Sequence, residues 1–295
     1  MEIARCFYNS LTTFEINNEN YTEVQSSYEY KFVLPFERYQ LTPIITRFLQ
    51  NYWQHTVTVS VLYFMMVKSI ERFLHNRPPF NLRLPLIIWN LSLALFSIVG
   101  FVRFGEDYFE SLFNRGIYTT ICTNPPHDGV AALWCAVFVF SKLFELGDTL
   151  FIVLRKRPLI FLHYYHHVAV LIYAAHSGAE HATPGRSFIA MNFAAHSLMY
   201  SYYAARAMGY RPPEFISVTI TLCQTIQMIV GVAISIGTYY IKAALGWQCQ
   251  QSFANLYLGF FIYFTFAFLF IKFFVNRYLK SEKDERKMEK EKKKE

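Results

Sequence analysis

Three histidines lie in one short stretch, His163-Tyr164-Tyr165-His166-His167, at the start of a largely apolar segment. Residues at i, i+3 and i+4 share one face of a helix, so the three imidazoles are predicted to lie side by side. Ionisable side chains inside a bilayer are rare and usually functional. Such a face can supply a nucleophile and an acid or base, or it can hold a metal ion.

A second polar stretch lies upstream and carries Lys142, Glu145 and Asp148. A charge at the centre of a spanning helix costs about 2.5–3.5 kcal/mol on insertion scales, so these groups need partners or water. Lys142 and Glu145 are three residues apart and are predicted to pair. Asp148 is then free to orient another group, and an imidazole of the histidine stretch is its predicted partner.

The elements that position these side chains are predicted to be membrane helices. The chain of 295 residues is 54% hydrophobic, with its apolar residues in long runs, whereas soluble domains average roughly 45–50%. Seven windows are long enough to span a bilayer, namely residues 55–74, 85–105, 131–154, 161–179, 187–206, 214–237 and 253–275. The predicted fold is an all-α integral membrane protein with one spanning domain, residues 51–276.

Basic residues in the short connections predict the orientation of this domain. Connections 1–2, 3–4 and 5–6 are rich in Lys and Arg, as is the tail after Asn276. With seven spans, the C-terminus is predicted to be cytosolic and the N-terminus lumenal. Residues 1–50 then form a lumenal segment, and residues 277–295 form a charged cytosolic tail.

Two later windows add polar side chains at helical spacing. They are Asn192, His196, Tyr200 and Tyr203 in the fifth window and Gln224 and Gln227 in the sixth. At 1.5 Å per residue, the carboxylates, imidazoles and amides lie roughly 5–20 Å below the cytosolic surface. Their common depth predicts one site. A lone glutamine in a membrane helix, however, more often makes a structural hydrogen bond, so a structural role stays open for the two glutamines.

Three local features concern modification and location. Asn20 begins a glycosylation sequon, which is usable if this end is lumenal. The predicted lumenal loops contain Cys122 and Cys249, which predicts a disulfide, with two free thiols as the alternative. Lys292-Lys293-Lys294-Glu295 looks like a dilysine signal for retrieval to the endoplasmic reticulum, with a solubilising basic tail as the alternative.

Several function classes fit poorly. The net charge of +7 comes from loops and the tail beside apolar spans, without a nucleic-acid recognition motif. A di-iron desaturase or hydroxylase needs several histidine boxes, and the chain has one. A single metal ion held by His163, His166, His167 and His196 remains an alternative, and with it a metal-dependent membrane lipid desaturase or hydroxylase. A seven-span receptor or transporter is disfavoured because the polar groups gather at one depth instead of lining a route through the membrane.

These motifs together resemble the fatty acid elongase (ELO) family of the endoplasmic reticulum. The resemblance covers about residues 80 to 275 and rests on four motifs in family order: Lys142-x-x-Glu145-x-x-Asp148-Thr149, His163-Tyr164-Tyr165-His166-His167, Met191-Asn192-x-x-x-His196-x-x-Met199-Tyr200-Ser201-Tyr202-Tyr203 and Gln224-x-x-Gln227-Met228. Tyr165 and Arg206-Ala207-x-Gly209 resemble the branch that acts on saturated and monounsaturated acyl-CoA, although Phe144 stands where that branch usually has proline.

The resemblance implies six of the seven spans wrapped around a narrow acyl tunnel. It also implies condensation of a long-chain acyl-CoA with malonyl-CoA to 3-oxoacyl-CoA, without metal or other cofactor. The implied partners are the two CoA thioesters, membrane lipid, and the 3-oxoacyl-CoA reductase, dehydratase and enoyl reductase of the elongation cycle. A homo-oligomer is compatible with all of these.

The residues suit this chemistry. His166 is the predicted nucleophile, with His163, His167 and Asp148 setting its tautomer and basicity. His196 and Asn192 are expected to hydrogen-bond the developing thioester enolate. The remaining polar groups are expected to contact substrate, and they are Lys142, Glu145, Tyr200, Tyr203, Gln224 and Gln227. Lys142 is expected at the CoA phosphates, together with basic residues of the cytosolic loops.

Overall fold

The computed structural model describes residues 11–12, 14, 28–39, 41–123 and 129–280. Every regular element within these residues is helical, and they contain no strand. The predicted all-α class is therefore confirmed for the described part of the chain. Asn20 and the dilysine pattern of the tail lie outside the described residues.

Ten α-helices run through the described residues. In chain order they are α1 (Thr42–Tyr52), α2 (His55–Leu74), α3 (Arg83–Glu110), α4 (Gly116–Cys122), α5 (Gly129–Glu145), α6 (Gly147–Leu154), α7 (Phe161–Glu180), α8 (Gly185–Met208), α9 (Glu214–Tyr239) and α10 (Phe253–Phe274). Short π-helical segments continue α3, α9 and α10 at Ser111–Arg115, Tyr240–Ala244 and Val275–Lys280. A 3-10 turn, Pro35–Arg38, precedes α1.

Each window predicted from the sequence is helical. The third window differs in one respect, because it is broken at Leu146 into α5 and α6. The ring of Trp89 in α3 lies 2.6 Å from where a Cβ atom on Gly147 would be. Only glycine therefore lets α3 approach the start of α6 this closely.

In the described part of the chain, four helical segments are long and apolar enough to cross a membrane, namely Arg83–Cys122, Gly129–Leu154, Glu214–Ala244 and Phe253–Leu279. Helices α2, α7 and α8 fall short of that criterion, and the last two carry the histidines and Asn192 of the predicted site. Large apolar side chains such as Leu95, Phe261 and Phe268 are exposed on outer faces. Apolar outer faces around an interior that contains polar groups are typical of an integral membrane protein.

The long helices pack in pairs that fix the interior. Helix α3 lies along α8, α9 lies along α10, and α7 contacts both α1 and α5. Phe193 of α8 is 1% exposed and packs against Phe104, Trp134 and Phe138. This aromatic cluster holds α3, α5 and α8 together beside the site.

The predicted disulfide between Cys122 and Cys249 is present. It joins the end of α4 to the segment before α10, and Gln250 N donates to Cys122 O at 3.1 Å beside it. Thr183 Oγ1 donates to the carbonyl oxygens of Ile121 and Gln250, at 2.9 and 3.1 Å. These bonds fix three chain segments next to the first turn of α8.

Glu37 anchors the segment before α1 to the helices. Its side chain accepts hydrogen bonds from Arg103 Nε and Nη2 at 2.9 and 2.6 Å, from Trp134 Nε1 at 2.9 Å and from the Leu34 N–H at 2.9 Å. Burial acts to raise the pKa of Glu37, but these donors outweigh burial and hold its pKa below the ordinary value. The carboxylate is thus charged when it binds Arg103.

Replacing Glu37 with glutamine is expected to lower the free energy of unfolding by about 1–3 kcal/mol at neutral pH, because Arg103 loses the more buried of its two anionic partners and keeps only Glu106. A carboxylate whose native pKa is depressed contributes stability above its unfolded pKa and loses that contribution as the pH falls through the native pKa. Thermal unfolding of detergent-solubilised protein at decreasing pH should show the difference shrinking. A difference that stays constant would contradict this account. Glu29→Gln, at an exposed position of the same segment, is the control.

Replacing both Cys122 and Cys249 with serine is expected to lower the free energy of unfolding by about 2–5 kcal/mol, since the bond closes a loop across 127 positions. Thermal unfolding with and without a thiol reductant measures this. The reductant should destabilise the native protein and leave the double variant unchanged. Cys223→Ser is the control because Cys223 is a free thiol. Equal stability of the native protein and the double variant would refute the expectation.

Candidate active site

A cavity of about 490 Å³, here called the histidine chamber, lies between α3 and α6–α10. Ten of the side chains predicted from the sequence line it: Asp148, His163, His166, His167, Asn192, His196, Tyr200, Tyr203, Gln224 and Gln227. Lys142 and Glu145 do not line the chamber. The structure thus brings together polar groups from four helices that are distant in sequence.

The three histidines of α7 occupy its first two turns. The ring centroids of His163 and His167 lie 4.4 Å apart, and those of His166 and His167 lie 5.5 Å apart. His163 Nε2 is hydrogen-bonded to Thr149 Oγ1 at 2.9 Å, and that hydroxyl also bonds the Tyr63 hydroxyl. Thr149 therefore orients the first imidazole.

The predicted pairing of Asp148 with an imidazole is wrong. Its carboxylate accepts hydrogen bonds from Trp89 Nε1 at 2.6 Å and from the Tyr200 hydroxyl at 2.7 Å. Successive residues of a helix point about 100° apart, so Thr149 faces α2 and α7 while Asp148 faces α3 and α8. Asp148 consequently holds α6 against these two helices at the wall of the chamber.

Lys142 and Glu145 pair as predicted, and both are buried, at 2% and 3% exposure. Lys142 Nζ donates to Glu145 Oε1 at 2.6 Å and to Asn192 Oδ1 at 2.8 Å. Ser141 Oγ also donates to Glu145, at 3.1 Å. These contacts place Lys142 in an internal network behind the chamber wall, where it cannot reach a CoA phosphate at the surface.

This network orients His196. Because Asn192 Oδ1 accepts from Lys142, the Asn192 amide nitrogen faces His196 Nε2, at 3.2 Å. An amide –NH₂ group only donates, so Nε2 is the accepting nitrogen and the ring proton sits on Nδ1. Nδ1 faces Glu145 Oε1 at 3.7 Å. The ammonium of Lys142 thereby fixes the tautomer of His196 through Asn192.

His166 has a different environment. Its ring packs against Phe266, with centroids 4.9 Å apart, and against Phe270, at 6.2 Å. No side chain or backbone group among the described residues hydrogen-bonds this ring, so one ring nitrogen is available for attack. Within the same residues, no three His, Cys, Asp or Glu side chains form a group that could hold a metal ion.

The histidine chamber opens into a basic mouth. This mouth is a cavity of about 700 Å³ lined by Arg83, Arg155, Lys156, Arg157 and Arg206. Of these, Arg155, Arg157 and Arg206 also line the histidine chamber. Arg83 donates to the carbonyl oxygens of Ala207 and Met208. Clustered guanidinium groups of this kind bind phosphates.

On its other side the histidine chamber meets a narrow cavity of about 120 Å³, here called the apolar chamber. His166, Asn192, Gln227 and Met228 line both chambers. Most of its wall is hydrocarbon or aromatic. His166 therefore lies where a polar space changes into one that suits an alkyl chain.

The sequence did not predict the hydrogen bonds that three residues make at the site, Trp89, Thr149 and Tyr63. Trp89 and Tyr63 lie in apolar windows, where an aromatic residue usually packs, and nothing in their spacing indicates a polar contact. Thr149 adjoins Asp148, so the motif itself marked its position. The conformation of the helix decides which of these two neighbours faces the histidines.

Comparison with known proteins agrees with this geometry. The family model described as GNS1/SUR4 (ELO) matches residues 48–286. A Caenorhabditis elegans relative named as a fatty acid elongase is 52% identical over 95% of this chain and 96% of its own. Very long chain fatty acid elongase 6 of Drosophila melanogaster is 40% identical over 85% of this chain and 80% of its own. Very long chain fatty acid elongase 3 of Homo sapiens is 35% identical over 88% of this chain and 96% of its own. The chain that builds this site belongs to the ELO family of fatty acid elongases.

Proposed function

We propose that this protein is a 3-oxoacyl-CoA synthase that condenses a long-chain saturated or monounsaturated acyl-CoA with malonyl-CoA. The observation that carries the proposal is that the histidine chamber shares lining residues with the basic mouth and with the apolar chamber. CoA phosphates suit the arginines of the mouth, and an acyl chain suits the apolar chamber. The thioester carbonyl then lies beside His166, which lines both inner spaces.

The proposal includes seven spans, six of them around the acyl tunnel, in the membrane of the endoplasmic reticulum. The positions of the mouth arginines and of the disulfide support this orientation in the membrane. The arginines of the mouth lie at the predicted cytosolic ends of the spans, where Lys and Arg concentrate. The disulfide lies at the opposite ends, which are predicted to face the oxidising lumen.

The first step is acyl transfer to His166. A ring nitrogen attacks the thioester carbonyl, a C–N bond forms, and the C–S bond breaks. CoA leaves as the thiol after taking up the proton that the other ring nitrogen of His166 releases. Nucleophilic catalysis of this kind divides one difficult reaction into two easier ones. The acyl-imidazole keeps the alkyl chain in the apolar chamber.

The second step forms the carbon–carbon bond. Malonyl-CoA loses CO₂, and the electrons of the broken bond generate a thioester enolate. The enolate carbon attacks the acyl carbonyl carbon, the C–N bond to His166 breaks, and the imidazole takes up a proton from water, which yields 3-oxoacyl-CoA and restores neutral His166. Asn192 and His196 line the same chamber and are positioned to hydrogen-bond the enolate oxygen while charge develops there.

The decisive measurement uses purified protein with palmitoyl-CoA and radiolabelled malonyl-CoA, without NADPH or added metal. A labelled 3-oxo product two carbons longer is expected from the native protein. His166→Ala should reduce its rate at least about 1000-fold, because the covalent route is lost. The readout is product separation by chromatography after release of the acyl group.

His75→Ala is the matched control, since His75 is exposed at the end of α2, away from the chamber. Its rate should equal that of the native protein. Full activity of His166→Ala would overturn the assignment of the nucleophile. Absence of product with palmitoyl-CoA and with other acyl-CoA chain lengths would overturn the proposed function.

Lys142→Met is expected to destabilise the fold by about 3–5 kcal/mol, because Glu145 would stay buried without its cation. The double variant Lys142→Met/Glu145→Leu removes both charges and should regain most of that stability. The double variant should catalyse the condensation more slowly than the native protein, since Asn192 and His196 lose the partners that orient them. Thermal unfolding and initial condensation rates separate the two effects. A double variant with the native rate would show that the pair only stabilises the fold.

A further inference from the structure

A pair of buried hydroxyl groups connects α2 to the first imidazole of α7. Thr149 Oγ1 is hydrogen-bonded to His163 Nε2 at 2.9 Å and to the hydroxyl of Tyr63. Thr149 is 0% exposed and Tyr63 is 4% exposed. Neither residue lines the histidine chamber or the apolar chamber, whereas His163 lines the former. The two hydroxyl groups therefore act on the histidine chamber through His163.

The donors along this chain of hydrogen bonds fix the tautomer of His163. Thr149 Oγ1 is the only acceptor for the Tyr63 hydroxyl proton among the described residues, so Tyr63 donates to Thr149. The Thr149 hydroxyl then donates its own proton to His163 Nε2. The opposite direction would leave the Tyr63 proton buried without an acceptor, which is unfavourable. His163 is therefore neutral and carries its ring proton on Nδ1.

Nδ1 is the nitrogen of His163 that a ligand in the histidine chamber can reach. His163 is half-buried, and its Nε2 is taken by Thr149. Nδ1 has no hydrogen-bond partner in the described part of the chain, and it is not one of the unpartnered polar atoms there that are closed to solvent. His163 thus presents an N–H donor to the chamber.

The position of His163 indicates which reacting atom it meets. His163 lines the histidine chamber but not the apolar chamber, whereas His166 lines both. It precedes His166 by about 4.5 Å along α7, toward the loop whose Arg155 and Arg157 line the mouth. Once His166 is acylated, a second thioester that enters from the mouth brings its carbonyl oxygen to this side of His166.

We propose that His163 donates its Nδ1–H to the thioester oxygen of malonyl-CoA while the enolate forms, and that Tyr63 and Thr149 are positioning residues for this donor. The inference rests on the proposed function and assigns a further donor to its second step. When CO₂ leaves, the electrons of the broken C–C bond pass toward the thioester oxygen. A donor already in place stabilises the negative charge that develops there.

The tautomer decides whether His163 helps or hinders this step. With the proton on Nδ1, the ring donates to the enolate oxygen and keeps its proton while the enolate carbon attacks the acyl group. With the proton on Nε2, the ring would present a lone pair to the same oxygen and would repel it. Tyr63 and Thr149 exclude the second arrangement without contacting the substrate.

The test measures the two steps separately in purified protein. Release of CoA from palmitoyl-CoA alone gives the rate of acyl transfer. Formation of labelled 3-oxo product, after malonyl-CoA is added to the acylated protein, gives the rate of condensation. Thr149→Val keeps the shape of the side chain and removes its hydroxyl. It should slow condensation about 10- to 100-fold and change acyl transfer by less than about threefold, since removing an oxyanion donor outright costs about 100- to 1000-fold.

Further variants separate positioning from a loss of folding. Thr149→Ser keeps the hydroxyl donor and should condense within about twofold of the native rate. Tyr63→Phe lets the Thr149 hydroxyl point either way, so condensation should slow by about three- to tenfold. If Thr149→Val does not fold, Tyr63→Phe/Thr149→Val takes its place, because it also removes the tyrosine hydroxyl that would lack an acceptor.

Thr265→Val is the matched control. The Thr265 hydroxyl is hydrogen-bonded at 2.8 Å to the hydroxyl of Tyr165, which lies in the same helix as His163. Thr265 lines neither the histidine chamber nor the apolar chamber. This variant loses a threonine–tyrosine hydrogen bond of the same kind and should keep both native rates.

Nitrogen NMR of protein labelled at the histidine rings measures the tautomer directly, with His163→Gln used to assign the signal. The native spectrum should show His163 neutral with its proton on Nδ1. Thr149→Val should no longer hold this single state. A native His163 with its proton on Nε2 would overturn the inference.

Equal condensation rates of the native protein and Thr149→Val would also overturn the inference and leave the elongase proposal intact. Equal slowing of both steps would overturn it as well, because the hydroxyl would then support the site in general and not a donor for the second step. If the native protein condenses no acyl-CoA, the proposed function fails and the donation to the enolate fails with it. The NMR signal of His163 then still decides whether Tyr63 and Thr149 hold its tautomer.

Discussion

A buried ammonium group requires partners that replace water, and Lys142 finds them on two helices. Glu145 supplies the compensating charge from α5, and Asn192 supplies an oxygen from α8. Because the amide of Asn192 is oriented by this bond, the tautomer of His196 is determined as well. The relation between α5 and α8, and the arrangement of the polar chamber wall, thus depend on one side chain that does not itself line the histidine chamber.

The interior changes in chemical character along its length. Arginines of the loop before α7 and of the end of α8 make one end cationic, the imidazoles occupy the middle, and packed aromatic and aliphatic side chains follow. Each zone is built by different segments of the chain. This order matches a ligand with a polyanionic head, a reactive carbonyl and a hydrocarbon tail, which agrees with the family to which the chain belongs.

The helices could be predicted because long apolar runs require them, and the pairing of Lys142 with Glu145 followed from helical spacing alone. Both predictions use information within one segment. The partner of Asp148 could not be predicted, because the break before Gly147 decides whether Asp148 or Thr149 faces α7. Helix α1 was also missed, since it is short and ends before the first predicted window. The polar residues that line the apolar chamber at positions 42, 46, 107, 177, 181 and 186 gave no signal, because they come from three separated stretches of the chain.

The arginines shared by the mouth and the histidine chamber, Arg155, Arg157 and Arg206, have a kinetic consequence. Under the proposed chemistry both thioesters place the same nucleotide portion against the same guanidinium groups. The first CoA must therefore depart before the second can be seated, which gives a double-displacement sequence. Each substrate then also competes with the other for the form of the protein that it cannot react with, so an excess of either thioester over the other slows the cycle.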